Sequence, residues 1–516
     1  MKVRRLFILL SIIVSLLLIV ISLVWKPILS GFIVVLPLIA LGYFDVTQKK
    51  HAIRRNFPIV GRLRYLLESI RPEIMQYFVE NDREGRPLDR VMRSMVYQRA
   101  KNVIDTVPFG TQMDVYEPGY EWMNHSMYAG RMKVDEAPRI MIGGEHCSQP
   151  YSASLLNISA MSFGSLSKNA VLAMNKGAKM GGFAHNTGEG GISPYHLEPG
   201  GDLIWQIGTG YFGCRDDKGR FNPELYAKNS QIENVKMIEL KISQGAKPGH
   251  GGILPAKKNT VEIAKIRHVK PHTEVDSPPS HSAFKDPEGL LQLIHQMREL
   301  SGGKPVGFKL CIGRKEEFIS ICEAMLKTGL KPDFITIDGG EGGTGAAPVE
   351  FSNSLGMPLL DGLAFAIDTL RGYDLKKDIK VIASGKIMSS FHIARALAIG
   401  ADLCNSARAM MLAVGCIQAL QCHLNNCPTG IATQDQQLMK GLDVEDKAKR
   451  TYQFHKNTMK SFGELISAAG LVHHSDIDRT YINLRTDVHK VLRYDELYPV
   501  VETGAYLNKV KEPSLI

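Results

Sequence analysis

The chain has 516 residues, with 62 Lys and Arg against 52 Asp and Glu, a formal charge of +10. Ten basic side chains and one acid, Asp45, fall within residues 1–65, so that segment carries +9 and the remaining 451 residues only +1. A body this close to neutral gives no reason to expect a nucleic-acid partner, because such binding rests on a basic face that neutralises phosphates.

Leu6 to Val24 is a run of 19 residues holding only Leu, Ile, Val, Phe and three Ser, and Pro27 to Phe44 is again apolar and uncharged. Each is about the length that crosses a ~30 Å hydrocarbon layer as a helix. No small-x-small cleavage site follows Val24, which favours a two-span anchor over a secretory signal. One span followed by a buried or interfacial helix is the other arrangement the pattern allows. Lys2, Arg4 and Arg5 precede the hairpin, and Lys49, Lys50, Arg54 and Arg55 follow it. By the positive-inside rule both ends lie in the cytoplasm, so the expected location is the inner membrane with the body cytoplasmic and lipid as a partner. In that compartment the eight cysteines argue against a disulfide framework.

After the hairpin (1–45), residues 46–150 read as a helical and irregular arm. Gly61 to Asn102 carries Leu63, Leu66, Leu67 and Ile70 at helical spacing, and Val107 to Arg139 is rich in Gly, Pro, Tyr and Met. From about residue 151 a strand–turn–helix rhythm sets in. Its eight short apolar runs are Leu155–Ser159, Phe183–His185, Met237–Ile242, Thr273–Asp276, Val306–Leu310, Phe334–Ile337, Val381–Ala383 and Asp402–Cys404. Helical patterns lie between most of them, such as Gly289–Leu300 and Phe391–Ile399. Strands alternating with helices predict a parallel sheet, and eight units over roughly 260 residues predict a (β/α)8 barrel. The expected fold is therefore α/β: a TIM-type barrel over 151–475, with 476–516 as a C-terminal extension. A doubly wound sheet is the alternative. Residues 192–236 would form one long excursion above the barrel mouth.

In such a barrel the chemistry belongs at the carboxyl ends of the strands. Glycine-rich and polar turns fall there: 161–164, 186–191, 244–249, 339–346, 384–386 and 405–408. Two stretches match G-x-G-x-x-G (Gly208, Gly210, Gly213 and Gly340, Gly342, Gly345), but neither opens a helix after a strand, so a dinucleotide site is not expected. Ser384, Gly385 and Lys386 after the seventh strand, with Ser406, Ala407 and Arg408 after the eighth, supply N–H donors and two cations where barrels often hold a phosphate. Solvated turns with incidental charges would look the same. Lys309 ends an apolar strand and would point into the mouth, as would Lys241. Inward lysines need an anion; a reduced flavin ring would supply one, and a structural salt bridge would serve as well.

Cys416, Cys422 and Cys427 fall within 12 residues after the eighth strand, followed by Pro428. Clustered thiolates with a trailing Pro suit iron–sulfur ligation. A Cys3His zinc site using His423, or plain buried thiols, are the alternatives.

The segments Ala160–Ser167, Asn186–Gly191, Gln244–Gly249, Gly342–Ala346 and Cys422–Pro428, in this order, resemble the FMN-binding synthase domain of glutamate synthases. The similarity covers roughly residues 150–475, and the chain as a whole resembles the membrane-anchored, stand-alone members of that family. The resemblance implies an oxidoreductase that holds FMN and a 3Fe–4S cluster and converts 2-oxoglutarate and ammonia to L-glutamate. It implies Cys416, Cys422 and Cys427 as cluster ligands, Lys309 against the flavin, and the turns after strands seven and eight at its phosphate. Met161, Ser162, Lys241, Gln244, Gly342, Gly343, Thr344 and Gly345 would complete the cofactor site. Lys247 and Arg267 would bind substrate carboxylates, and Glu189 would stand beside the reacting centre. No glutaminase or nicotinamide-binding domain is read. Ammonia would then come free or from a partner, and electrons from a ferredoxin, an NAD(P)H flavoprotein or a membrane carrier. Ile253 replaces the family's Gln and His250 its Glu. An Ile cannot hydrogen-bond a carboxylate, which keeps open a membrane-linked flavin oxidoreductase acting on another small oxo- or amino-acid. A degenerate barrel serving as a membrane scaffold is the non-enzymatic alternative.

Overall fold

The opening apolar run forms helix α1 (Val3–Ser22), and a 3-10 turn (Lys26–Gly31) leads into helix α2 (Phe32–Thr47). The structure, a computed structural model, describes residues 3–103, 106–130 and 137–507. It divides into two units, Met1–Arg90 and Val91–Ile516.

In the first unit, α1 and the stretch Lys26–Thr47 are both long and apolar enough to cross a membrane. Gly42 lets them pack: a Cβ there would stand 2.0 Å from the Phe7 ring. Ser11 Oγ donates to Ile8 O and lies 3.3 Å from the Tyr43 hydroxyl, so the polar atoms inside the hairpin are satisfied. Asp45, the segment's one acid, is fully buried and accepts from Arg62 Nε (2.9 Å), Arg62 Nη2 (2.7 Å) and Ile59 N (3.1 Å). The expected continuous helix from Gly61 is interrupted. It runs over Gly61–Ser69, continues in short turns to Val79, and resumes at Arg90–Lys101. Gly85 and Pro87 lie in the gap and explain the break.

The second unit is built on a closed parallel barrel. Its strands are β1 (Leu156–Ile158), β2 (His185–Asn186), β3 (Leu203–Ile207), β4 (Val235–Lys241), β5 (Val306–Leu310), β6 (Phe334–Asp338), β7 (Lys380–Ser384) and β8 (Leu403–Ser406). Each pairs with the next in sequence, and β8 closes on β1. The closed eight-stranded barrel is as the rhythm predicted, and seven of the eight expected runs fall on its strands; two assignments differ. Thr273–Asp276 is no barrel strand: Val275–Asp276 pairs antiparallel with Ile253–Leu254 outside it. The third strand is Leu203–Ile207, inside the stretch expected to be an excursion. The long excursion instead follows β4.

Helix α3 (Lys168–Gly181) shows how the β–α units are bounded. Ser167 accepts from Ala170 N at its start, and Gly182 takes the left-handed conformation at its end (φ 64°). Helix α4 (Val261–Arg267) lies in the excursion and ends on Arg267. In the expected irregular arm, Glu121–Met123 pairs antiparallel with Ile482–Asp487 from the C-terminal stretch.

Candidate active site at the barrel mouth

Lys241 ends β4 and Lys309 stands one residue before the end of β5, in paired register, and each meets a carboxylate. Lys309 Nζ lies 3.2 Å from Asp338 Oδ2. Asp338 also accepts from Gly245 N (2.9 Å) and Ser384 Oγ (2.8 Å), so it joins the ends of β5, β6 and β7 to the turn after β4. Burial alone would lower the Lys309 pKa, but the charges of Asp338 and Glu239 overcome it and hold it above the ordinary lysine value. Glu239 sits deeper in the barrel, 1% exposed, and accepts from Asn186 Nδ2 (2.8 Å), Gln206 Nε2 (2.7 Å) and Thr336 Oγ1 (2.6 Å). Four strands thus donate to or carry one buried anion, a network that no local spacing announces.

Lys241 Nζ lies 2.8 Å from Glu189 Oε2. Glu189 follows β2 and keeps 14% of its side-chain surface exposed, so it faces the mouth. Burial would raise its pKa, but Lys241, then Arg267 and Lys247, hold it below the ordinary carboxylate value. Glycines make its space: a Cβ at Gly208 would stand 2.4 Å from Glu189 Oε2, and one at Gly252 2.3 Å from Oε1. The first G-x-G-x-x-G stretch therefore supplies room for a carboxylate rather than a nucleotide cradle.

Arg267 is buried and reaches the turn after β1, where Nη2 donates to Phe163 O (3.1 Å) and approaches Ser162 Oγ (3.5 Å). Its Nε has no partner among the described residues, and burial lowers its pKa to about 10. Lys247, 3% exposed, donates to Ala346 O at 2.9 Å. Burial brings its pKa down to about 8, against the pull of Glu189. Gln244 Oε1 accepts from Lys241 at 3.5 Å. Thr209, Lys241, Gln244, His250, Pro278 and Pro279 line a small cleft beside this group.

The remaining expected site residues gather on the same rim. Gly188 (φ 64°) lies against Met161 and Ser162, where a Cβ would stand 2.6 Å from Ser162 N. Arg408 Nη2 donates to Glu341 O (2.6 Å), and its stem lies against Gly343. Gly342 N donates to Gly339 O, Thr344 Oγ1 donates to Ala346 O, and Gly345 borders open space. Gly385 and Lys386 carry positive φ of 140° and 46°. The hydroxyls of Ser384 and Ser406 are spent on Asp338 and Ile387 O, so neither offers its proton to a ligand. Ala407 begins the helical turn Arg408–Ala413. Asn405, register-paired with Ser384, has a buried Oδ1 without a partner among the described residues.

The cysteine segment lies beyond β8. Cys416 Sγ accepts from Gln418 N at 3.4 Å, and burial pushes its thiol up to about 12. Cys427 behaves oppositely: burial would raise its pKa, but Thr429 Oγ1 and the N–H groups of Ala432, Thr429 and Ile431 hold it below the ordinary value. The charges of Cys416, Cys422 and Cys427 act on one another. Among the described residues no three of His, Cys, Asp and Glu converge closely enough to hold one metal ion.

Sequence reasoning missed two further contributors. His281 Nε2 lies 2.9 Å from Lys241 O, which can only accept, so Nε2 carries the proton. Burial lowers the His281 pKa to about 4, and the neutral Nδ1 accepts from the Tyr211 hydroxyl at 2.9 Å. This chain ties the turn after β3 to the backbone of Lys241. Lys258 is the second, its Nζ donating to Ser165 O, Cys422 O and Ala432 O.

The conserved region of glutamate synthase matches residues 99–472. The glutamate synthase large subunit-like protein YerD of Bacillus subtilis (strain 168) is 37% identical over 508 residues, covering 90% of this chain and 96% of that protein. An archaeal glutamate synthase (NADPH) of Methanocaldococcus jannaschii is 37% identical over 316 residues, 61% of this chain and 58% of that one, so the chain spans just over half of that relative. The glutamate synthase (NADPH) large chain of Bacillus subtilis is 35% identical over 54% of this chain and 18% of its own length. With the barrel, the mouth and these matches together, the chain belongs to the glutamate synthase family, oxidoreductases acting on CH–NH2 donors.

Proposed function

We propose that this protein is an FMN- and iron–sulfur-dependent glutamate synthase that takes free or partner-supplied ammonia and converts 2-oxoglutarate to L-glutamate. One observation carries the reading: Lys241, Lys247 and Arg267 surround the single carboxylate of Glu189 at the strand ends. That excess of positive charge suits a dianionic oxo-acid. A guanidinium binds a carboxylate through two parallel N–H groups, and Arg267 keeps a buried Nε for such a contact. Lys247 supplies a point charge for the second carboxylate. Glu189, ionised at neutral pH, holds the N–H of an ammonium or iminium and accepts a proton from it. The family and the names of the relatives support the same reaction.

The residues fit a flavin mononucleotide. Lys386, Arg408 and the positive-φ turn at Gly385 suit its phosphate, and the unpartnered Asn405 Oδ1 suits a ring N–H. Met161, Ser162, Lys241, Gln244, Lys309 and the rim Gly342, Gly343, Thr344, Gly345 would line the rest, with Ser384, Ser406 and Ala407 contributing backbone. Bound there, a flavin supplies hydride. Cys416, Cys422 and Cys427, three cysteines within 12 residues, supply the thiolate donor set that a 3Fe–4S cluster takes, and the hydrogen bonds of Thr429 Oγ1 and of the Ala432, Thr429 and Ile431 N–H groups favour the charged form of Cys427. The hairpin 1–45 would anchor the protein to the cytoplasmic face of the membrane. Residues 151–475 would form the catalytic barrel, with 46–150 as arm, 476–516 as extension, and a ferredoxin, NAD(P)H flavoprotein or membrane carrier as donor.

A second reading, another small oxo- or amino-acid as substrate, is favoured by Ile253. It is half-buried next to Gly252, which abuts Glu189, and it offers an apolar side chain where a carboxylate would want a donor. Detergent-extracted protein with full flavin and iron occupancy and a chemical reductant decides between them. Glutamate formed from ammonia and 2-oxoglutarate supports the first reading. Full occupancy without glutamate, but with turnover of another oxo-acid, supports the second.

A further inference from the structure

The helix Gly61–Ser69, which follows the hairpin, is held to its unit by its polar side. Gly61 is buried against the preceding turn, where a Cβ would stand 3.0 Å from Ile53 O. Arg62 pairs with the buried Asp45 at the end of α2. The Tyr65 ring takes the Arg54 guanidinium at 4.4 Å and the His51 ring at 4.8 Å. Leu63, Leu66, Leu67 and, just past the helix, Ile70 share one stripe by their spacing. Tyr65 stands two residues from both Leu63 and Leu67, about 160° round a helix of 3.6 residues per turn. The apolar stripe is thus turned outward, and its four side chains are 55%, 57%, 50% and 41% exposed. Tyr77 and Phe78 extend the exposed apolar surface. A surface helix normally buries such a stripe against its own core.

Charge accompanies it. Residues 48–79 hold seven basic side chains (Lys49, Lys50, Arg54, Arg55, Arg62, Arg64 and Arg71) against two acids, Glu68 and Glu73. Arg62 is committed to Asp45, and Arg64 meets Glu68 at 2.9 Å. Lys49, Lys50 and Arg55 are exposed, and among the described residues no carboxylate lies within ion-pair reach of them. An apolar stripe with surplus cations is the composition of a helix that lies in a membrane interface, and basic segments beside a span attract anionic lipid. A second copy seated on the stripe would bring the same cations against one another.

We propose that residues 49–79 lie in the membrane interface, with Leu63, Leu66, Leu67, Ile70 and Phe78 among the acyl chains and Lys49, Lys50 and Arg55 on anionic lipid headgroups. This rests on the anchor reading above, because the Asp45–Arg62 pair ties the helix to the end of the hairpin. Such a segment is held by apolar area and by charge together, so its seating follows lipid composition.

The test uses the full-length protein in vesicles of phosphatidylcholine, alone or mixed with phosphatidylglycerol, whose acyl chains carry bromine as a fluorescence quencher. Leu67→Trp, at an exposed position, is made in protein that carries Trp25→Phe and is read against Trp25→Phe alone. The introduced indole should be blue-shifted and quenched in the mixed vesicles, and less quenched in phosphatidylcholine. Lys49→Gln, Lys50→Gln and Arg55→Gln together should remove that difference, and added salt should shrink it. Release of the full-length protein from membranes by alkaline carbonate would sink the anchor reading. Protein that stays in the membrane with an unquenched indole would overturn the interfacial seating, whether a second copy or water then covers the stripe. Equal quenching in both lipids, or a difference that survives the three Gln substitutions, would overturn the headgroup contacts.

Discussion

Lys241 and Lys309 are register partners on adjacent strands, yet their carboxylates live in different company. Asp338 is committed within the barrel: Lys309, Ser384 and Gly245 all donate to it. Glu189 has cations around it, space cleared by Gly208 and Gly252, and surface left open to the mouth. The first pair is balanced within the barrel, so Lys309 would meet a flavin with its charge already offset. The second carries surplus positive charge and is built to receive something. An inward lysine is therefore no ligand signal by itself; what decides is whether its partner's other bonds are already taken.

Breaking the open side should have the largest effect. Glu189→Gln keeps shape and removes charge, and the turnover number should fall by about 10²–10⁴-fold, the usual contribution of a placed acid–base group; steady-state kinetics checks it. Breaking the closed side should cost stability instead. Lys309→Met leaves Asp338 buried without its cation, a loss of about 3–5 kcal/mol, and adding Asp338→Asn should recover much of it. Lys241→Met should cost less, because Arg267 and Lys247 still face Glu189. Thermal unfolding of the three proteins side by side ranks them.

Gly252→Ala sharpens the comparison by pushing on Glu189 alone. The new Cβ would stand 2.3 Å from Oε1, and kcat/KM should fall about tenfold or more, since small misplacements near the chemistry cost that much. The mildest test is pH. Lys247 binds an anion only while protonated, and burial has brought its pKa to about 8. The KM for the oxo-acid should therefore be flat below pH 8 and rise above it. Lys247→Arg should abolish that rise, because a guanidinium stays charged.

Much of this was legible in the residues. The eightfold rhythm and the polar turns at its strand ends led to the barrel and to most of the rim. The third strand escaped because Leu203–Ile207 lies among glycine-rich turns, and its Gln206, which bonds Glu239 inside the barrel, reads as polar. Thr273–Asp276 looked like a strand because β-branched residues alternate there, though only two residues pair. The Glu239 network, the Tyr211–His281–Lys241 chain and Lys258 were invisible for one reason. Their partners lie tens of residues or more apart, and nothing local marks a donor whose acceptor arrives through the fold. Gly208 and Gly252 were visible as glycines, but that each makes room for one carboxylate follows only from the packing.

The central claim is that the basin around Glu189 is a dicarboxylate site. Calorimetric binding of 2-oxoglutarate and of pyruvate to the oxidised, flavin-loaded protein tests it without relying on turnover. The account predicts that 2-oxoglutarate binds at least about tenfold tighter, one extra charge-assisted contact being worth about 1.5–3 kcal/mol, and that Lys247→Met erases the difference. Equal affinity for the two acids in the wild-type protein, or a preference untouched by Lys247→Met, would contradict it.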